Sequence, residues 1–167
     1  CGKMLGIDYP AGPMLAARAD AYTGTEMPVL PTPLKHRKTL EFSFSGLKTA
    51  FSRALEVGHE HYPADAFACA VQNTIVDSLI SRLSFACEMI QEIPIVVAGG
   101  VAANSALRQS VYALCDRLNR RCYFPELSYC TDNAAMIARA GAERFAAGLD
   151  KTQPMATIAR ARWPLDA

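Results

Sequence analysis

The sequence has almost no net charge and no long apolar run. Its 17 lysines and arginines oppose 16 aspartates and glutamates, which leaves a formal charge of +1 at pH 7. Such a balance provides no global field to attract nucleic acid or an anionic membrane. No segment reaches the roughly 18 apolar residues of a membrane span. Nucleic-acid binding would therefore depend on local patches, and no membrane partner is expected.

The cysteines form no CxxC pair, although there are six of them: Cys1, Cys69, Cys87, Cys115, Cys122 and Cys130. Zinc knuckles need closely spaced ligand pairs, and disulfide frameworks are typical of small secreted domains. Most of these cysteines lie in apolar, helix-like surroundings, which favours buried free thiols. We therefore expect a cytoplasmic location.

The chain also lacks an initiator methionine and the apolar segment of a signal peptide. This start predicts a chain that begins inside a longer protein. At 167 residues, of which 51% are apolar and 20% charged, the chain is long enough for one ordinary domain. The same composition excludes collagen-like and generally disordered classes.

Hydrophobic periodicity predicts a helix-dominated α/β domain. Helices are expected over 14–22, 46–57, 64–90, 104–119 and 132–147, and strands over 93–98 and 121–124, with a weaker strand pattern at 40–44. The continuous apolar run at 93–98 suits a parallel strand that is buried on both faces. Ser45 and Thr131 are the expected N-caps of their helices, and Gly148 is the expected C′ residue of the last one.

The first candidate site is the end of the strand at 93–98, where Gly99 and Gly100 precede a helix. Glycine lacks Cβ, so its backbone N–H groups can face a phosphate or ribose without steric conflict. Asn104, at the helix start, could cap the helix or contact a ribose or base. An ordinary strand–turn–helix connection would explain the same pattern.

Two further segments carry candidate chemistry. Asp132 follows Thr131 at a helix start. Its carboxylate could be structural, could bind a metal, or could accept a hydrogen bond from a substrate. One carboxylate alone cannot hold a transition metal. The segment 42–49 (FSFSGLKT) could meet a phosphate at a helix start or could simply be a capped amphipathic helix.

Basic residues form two local clusters that could contact RNA phosphates. One contains Lys35, Arg37 and Lys38, and the other contains Arg117, Arg120 and Arg121. Solvated loops explain such clusters equally well.

Taken together, the segments 42–49, 98–108 and 130–140 resemble the signature blocks of the TsaD/Gcp family, also called the glycoprotease or O-sialoglycoprotein endopeptidase family. The segments 5–13 (LGIDYPAGP) and 160–165 (RARWPL) add to the resemblance. It spans nearly the whole chain, in the family's order. Ala11 and Ala16 depart from the pattern, since members commonly have glycine and a polar residue at these positions.

The resemblance implies that residues 1–167 correspond to the C-terminal lobe of an actin-like (ASKHA, ribonuclease H-like) ATPase fold. The N-terminal lobe, with its HxxxH metal motif, would be absent, and no HxxxH occurs in this sequence. By resemblance, Gly12 and Asn104 would contact threonylcarbamoyl-adenylate or another adenine nucleotide. Asp132 would be one ligand of iron or of another divalent metal such as zinc.

The implied activity is transfer of threonylcarbamoyl to a tRNA adenosine beside the anticodon, with tRNA and TsaB- and TsaE-type proteins as partners. The expected activity is that of the full-length protein, with an isolated fragment inactive. The alternatives are the metal-dependent protease of the older family name and a non-catalytic binding lobe. An open sheet edge would also favour self-association of the fragment.

Overall fold

The computed structural model describes residues 1–35, 37–90 and 93–149. Two compact units are present, one spanning Cys1–Cys130 and one beginning at Thr131. The helices and strands are α1 (Ala11–Ala21), α2 (Ser45–Gly58), α3 (Ala64–Met89), β1 (Ile95–Val96), α4 (Ser105–Arg117), β2 (Cys122–Tyr123) and α5 (Ala134–Ala146). Short 3-10 turns lie at Gly2–Leu5, Gly100–Ala103 and Leu127–Tyr129. The predicted helix-dominated α/β class is confirmed.

The two short strands form a parallel sheet, as the strand–helix–strand order predicts. Ile95 pairs with Cys122, and Val96 pairs with Tyr123. The prediction that this strand is buried on both faces is wrong. Ile95 is only 9% exposed, but Val96 on the opposite face is 70% exposed. Ile95 packs against α3 and α4, whereas no described element covers Val96.

The expected strand at 40–44 is also absent from the described residues. The alternation in this segment brings Phe42 and Phe44 against each other, with ring centroids 6.4 Å apart and nearly parallel planes. Because no neighbouring strand pairs with this segment, its alternation produces an aromatic pair instead of a sheet.

Residues of α3 contribute to two apolar clusters. Toward its start, Phe67 and Val71 pack with Leu47 and Phe51 of α2. Toward its end, the buried members are Val76, Cys87, Ile95, Leu107, Val111 and Cys115. The predicted stripe along this helix is confirmed at Phe67 and Val71, which are at most 1% exposed. Its later members include Ile75, Leu79 and Leu83, which are half-buried and pack on these clusters.

The predictions that Ser45 and Thr131 are N-cap residues are both wrong. Phe44, not Ser45, is the N-cap residue of α2, and no side chain caps that helix. Asn133, not Thr131, caps α5, because its Oδ1 accepts a hydrogen bond from Met136 N at 3.0 Å. Gly148 follows the end of α5 with a φ of 66°, a left-handed conformation that glycine adopts readily and that a C′ residue requires.

All six cysteines are free, and three of them, Cys87, Cys115 and Cys130, are buried. Burial and a hydrogen bond with Cys122 raise the pKa of the Cys115 thiol to about 12. No helix among the described residues is long and apolar enough to cross a membrane.

Truncation of Phe51 to alanine should destabilise the chain by about 3–5 kcal/mol, because its fully buried ring contacts Phe67 edge-on. Urea unfolding measures this change. Val57→Ala, at an 80% exposed position of the same helix, is the control and should change stability by less than about 0.5 kcal/mol. Equal losses in both variants would contradict the packing described here.

Cys115 should resist alkylation in the folded protein, because only the thiolate reacts and its raised pKa keeps it protonated at pH 8. Peptide mass spectrometry after brief N-ethylmaleimide treatment would measure this. The half-buried Cys69 is the internal control. Cys115 should become labelled in urea, and labelling at the same rate with and without urea would refute its burial.

Candidate functional site

The turn after β1 exposes its backbone. Gly99 has a φ of 87°, in the left-handed region that other residues rarely adopt, and its carbonyl accepts a hydrogen bond from Ala102 N at 3.0 Å. A Cβ added at Gly99 would meet nothing within 4 Å, and one at Gly100 would meet only the Cys130 carbonyl oxygen at 4.0 Å. Both glycines are exposed. The turn therefore offers open backbone that a ligand could approach closely.

Asn104 is the N-cap of α4. Its Oδ1 accepts a hydrogen bond from Leu107 N at 2.9 Å, which satisfies one of the unpaired N–H groups of the first turn. Its Nδ2 donates to Gln72 Oε1 at 2.8 Å. Of the two roles left open by the sequence, capping is confirmed, and ligand contact stays a prediction. One hydrogen of the amide has no protein acceptor within the described residues, so the two roles are compatible.

A polar network holds Asn104 in place. Gln72 on α3 is 7% exposed and donates from Nε2 to Asp20 Oδ1 of α1 at 3.1 Å. The other carboxylate oxygen of Asp20 accepts from the Ser105 hydroxyl at 2.6 Å. Three helices are thereby joined immediately behind the glycine turn. We call Asp20, Gln72, Asn104 and Ser105 the helix-junction network.

Arg108 braces the same turn from α4. Its Nε donates to the Ala102 carbonyl at 2.6 Å, and a terminal nitrogen donates to the Pro125 carbonyl at 2.9 Å. The guanidinium carbon lies 4.7 Å from the centre of the Phe124 ring, within the range of a cation–π contact. Arg108 thus ties the turn after β1 to the segment after β2.

Sequence reasoning missed the support around Asn104, because its members lie far apart in the chain and carry no motif. Asp20 and Ser105 are 85 positions apart. The available signal was Gln72 itself, a polar residue directly after Val71 on the apolar stripe of α3. A buried amide needs partners, so its presence there indicated a buried hydrogen-bond network.

Gly12 lies at the exposed start of α1, with open space where a Cβ would stand. The helix-junction network attaches to Asp20, near the opposite end of this helix. Eight residues at the α-helical rise separate the two positions by about 12 Å. Gly12 and the Asp20 end of the helix-junction network therefore lie at opposite ends of α1.

Asp132 belongs to the second unit, where it is exposed and precedes the Asn133 cap. Within residues 1–35, 37–90 and 93–149, no group of three or more His, Cys, Asp or Glu side chains could hold a metal ion. Asp132 alone supplies one or two oxygen ligands. The described residues therefore do not complete a metal site.

Comparison with known proteins identifies the family. A family model described as TsaD, tRNA N6-adenosine threonylcarbamoyltransferase, matches residues 1–139. Curated proteins with that same name are 46% identical in Sinorhizobium medicae and in Sphingopyxis alaskensis, and 43% identical in Methylibium petroleiphilum. The alignments cover 98–99% of this chain and 46–48% of the relatives. The chain belongs to the TsaD family and spans about half the length of these relatives.

Replacing Asn104 by alanine should destabilise the first unit by about 1–2 kcal/mol, because it removes a helix cap and leaves the buried Gln72 carbonyl unpaired. Chemical denaturation followed by circular dichroism would measure the loss. Asn73→Ala, at an exposed position on α3, is the matched control and should be nearly neutral. Similar small effects in both variants would show that the network carries little stability.

Proposed function

We propose that this chain forms part of a tRNA N6-adenosine threonylcarbamoyltransferase. In that reaction, the N6 amine of the adenosine beside the anticodon attacks the carbamoyl carbon of threonylcarbamoyl-adenylate. The bond from that carbon to the phosphate oxygen breaks, AMP leaves, and the amine loses a proton. The family match over residues 1–139 carries this proposal, because that range includes every residue assigned below.

The adenylate would contact the open backbone at Gly99 and Gly100, together with Asn104 and Gly12. Support comes from the absence of side chains at both glycines and from the fixed position of the Asn104 amide. A rigid donor costs little entropy when it binds a ligand, so the helix-junction network would serve binding as well as stability. Since Gly12 lies at the far end of α1, it would contact a different part of the ligand.

We assign Asp132 as one ligand of a divalent metal, iron or an alternative such as zinc. Its exposure leaves the carboxylate available to a metal, and its single carboxylate requires ligands from outside the described residues. When bound, such a metal polarises carbonyl oxygens and stabilises developing negative charge.

The same proposal extends to fold, partners and location. Residues 1–167 would form part of the C-terminal lobe of an actin-like fold that also needs an N-terminal lobe. The protein would act on tRNA in the cytoplasm, with TsaB- and TsaE-type partner proteins. The six free thiols agree with a reducing compartment.

The second candidate is a binding lobe without chemistry of its own. It is favoured by one observation, the coverage of 46–48% of the relatives' length. Its distinguishing property would be ligand binding without transfer even when a relative supplies the other half of the protein, so the two candidates differ in the activity of a chimera.

The test is a chimera in which this chain replaces the matching half of the Sinorhizobium medicae relative. Transfer is measured with radiolabelled threonylcarbamoyl-adenylate, tRNA and the partner proteins. We expect activity from the chimera and none from this chain alone. An inactive chimera that is folded and binds the adenylate would favour the binding lobe instead.

In the chimera, Asp132→Ala should lower both metal content and transfer by more than tenfold, because a metal ligand is lost while the fold is kept. Elemental analysis and the transfer assay give the two readouts. Asp116→Ala, at another exposed aspartate, is the control. Unchanged metal content and activity in Asp132→Ala would remove Asp132 from the metal site.

A further inference from the structure

A basic turn, which we define by Lys35, Arg37 and Lys38, presents positive charge to solvent. Arg37 N donates to the Leu34 carbonyl at 2.9 Å, and Leu34 adopts a φ of 55°, which is uncommon for a branched residue. Lys35, Arg37 and Lys38 are all exposed. Three cations therefore lie close together in the chain and face solvent.

A buried arginine fixes this turn. Arg82 of α3 is 4% exposed and donates to the Arg37 carbonyl at 2.5 Å and to the Leu34 carbonyl. Among the described residues, no carboxylate forms an ion pair with it. A guanidinium remains charged in proteins, so the fold places a fourth positive charge directly beneath the other three. This accumulation of like charge favours an anionic partner.

Exposed aromatic rings lie next to the turn. Phe42 is 54% exposed and Phe44 is 37% exposed, and their rings are stacked at 11° between planes. Phe42 and Arg82 line the same apolar groove, of about 370 Å³, together with Leu40. Arg82 thus contacts the basic turn while also bordering the groove beside the aromatic pair.

We propose that a surface for single-stranded RNA is formed by Lys35, Arg37, Lys38, Phe42 and Phe44. Arg82 holds the basic turn of this surface in place through its two backbone hydrogen bonds. Cations would contact the phosphates, and an exposed ring would stack on an unpaired base, as in single-strand recognition generally. The inference rests on the proposed function, in which the target adenosine lies in an unpaired loop. It adds the residues that would hold that loop.

The other basic cluster is less suited to this role. Arg120 donates to the carbonyls of Cys87 and Ile90, both at 2.6 Å, and so caps the end of α3. Only Arg117 and Arg121 of that cluster are exposed. Charge complementarity therefore favours the anchored turn, where all three cations face solvent.

The first experiment measures affinity of this chain for a fluorescent 17-nucleotide anticodon hairpin over a range of salt concentrations. The triple variant K35E/R37E/K38E is compared with K3E/R53E/R117E, which reverses three exposed cations elsewhere. Both variants have a net charge of −5, because three reversals subtract 6 from +1. We expect the slope of log affinity against log salt to become shallower by about 2 in the first variant and by much less in the control.

Two further variants test the rings and the anchor. F42A/F44A should weaken hairpin binding at least about fivefold with little change in salt slope, because stacking is lost and charge is kept. Arg82→Lys keeps the charge, but one ammonium cannot replace a fork that reaches two carbonyls. We expect a shallower salt slope in Arg82→Lys, whereas a purely structural Arg82 would change stability alone.

Equal losses in the two triple variants would overturn the proposal, because they would reflect net charge alone. So would a finding that F42A/F44A abolishes self-association in ultracentrifugation and leaves hairpin affinity unchanged, since another protein copy would then cover the rings. Transfer by the chimera remains a separate readout. An active chimera with unaltered RNA binding in K35E/R37E/K38E would refute this surface and leave the proposed function standing.

Discussion

The burial of α3 is the constraint on which the rest of the first unit depends. This helix contributes to both apolar clusters, and α1 and α4 both pack against it. Its length, from Ala64 to Met89, lets one helix reach from Phe51 to Ile95. Because so much of α3 is enclosed, its buried polar groups, such as those of Gln72 and Arg82, must find partners inside the protein.

Two of those buried polar groups fix the surface features for which we propose functions. Gln72 takes its partners from α1 and α4, which fixes the residue that precedes the α4 helix. Arg82 takes its partners from the backbone at Leu34 and Arg37, which fixes a basic turn. No buried side-chain polar atom among the described residues lacks a partner. The same helix therefore supports both the proposed ligand turn and the proposed RNA surface.

Local patterns predicted the helices well, because periodicity and turn residues act over a few positions. They predicted the parallel pairing at Ile95 but failed at Val96, whose exposure depends on what else packs on the sheet. Candidate residues with open surroundings, such as Gly99 and Asp132, could be nominated from sequence. Among the supports, Gln72 gave a signal as a polar residue on an apolar stripe. Its partners Asp20 and Asn104 could not be assigned to it from sequence, because they lie 52 and 32 positions away in the chain.

The close approach of Ala11 to Gly2 limits which substitutions this chain can accept at position 2. A Cβ at Gly2 would lie 2.5 Å from the Ala11 Cβ, closer than side-chain atoms approach. Ala11 occupies a position where the resemblance implies glycine, so the alanine leaves no room for a side chain at position 2. A larger residue at position 2 would become acceptable only after a return to glycine at position 11. The two positions are thus coupled, because the cost of a side chain at position 2 depends on whether position 11 carries a Cβ.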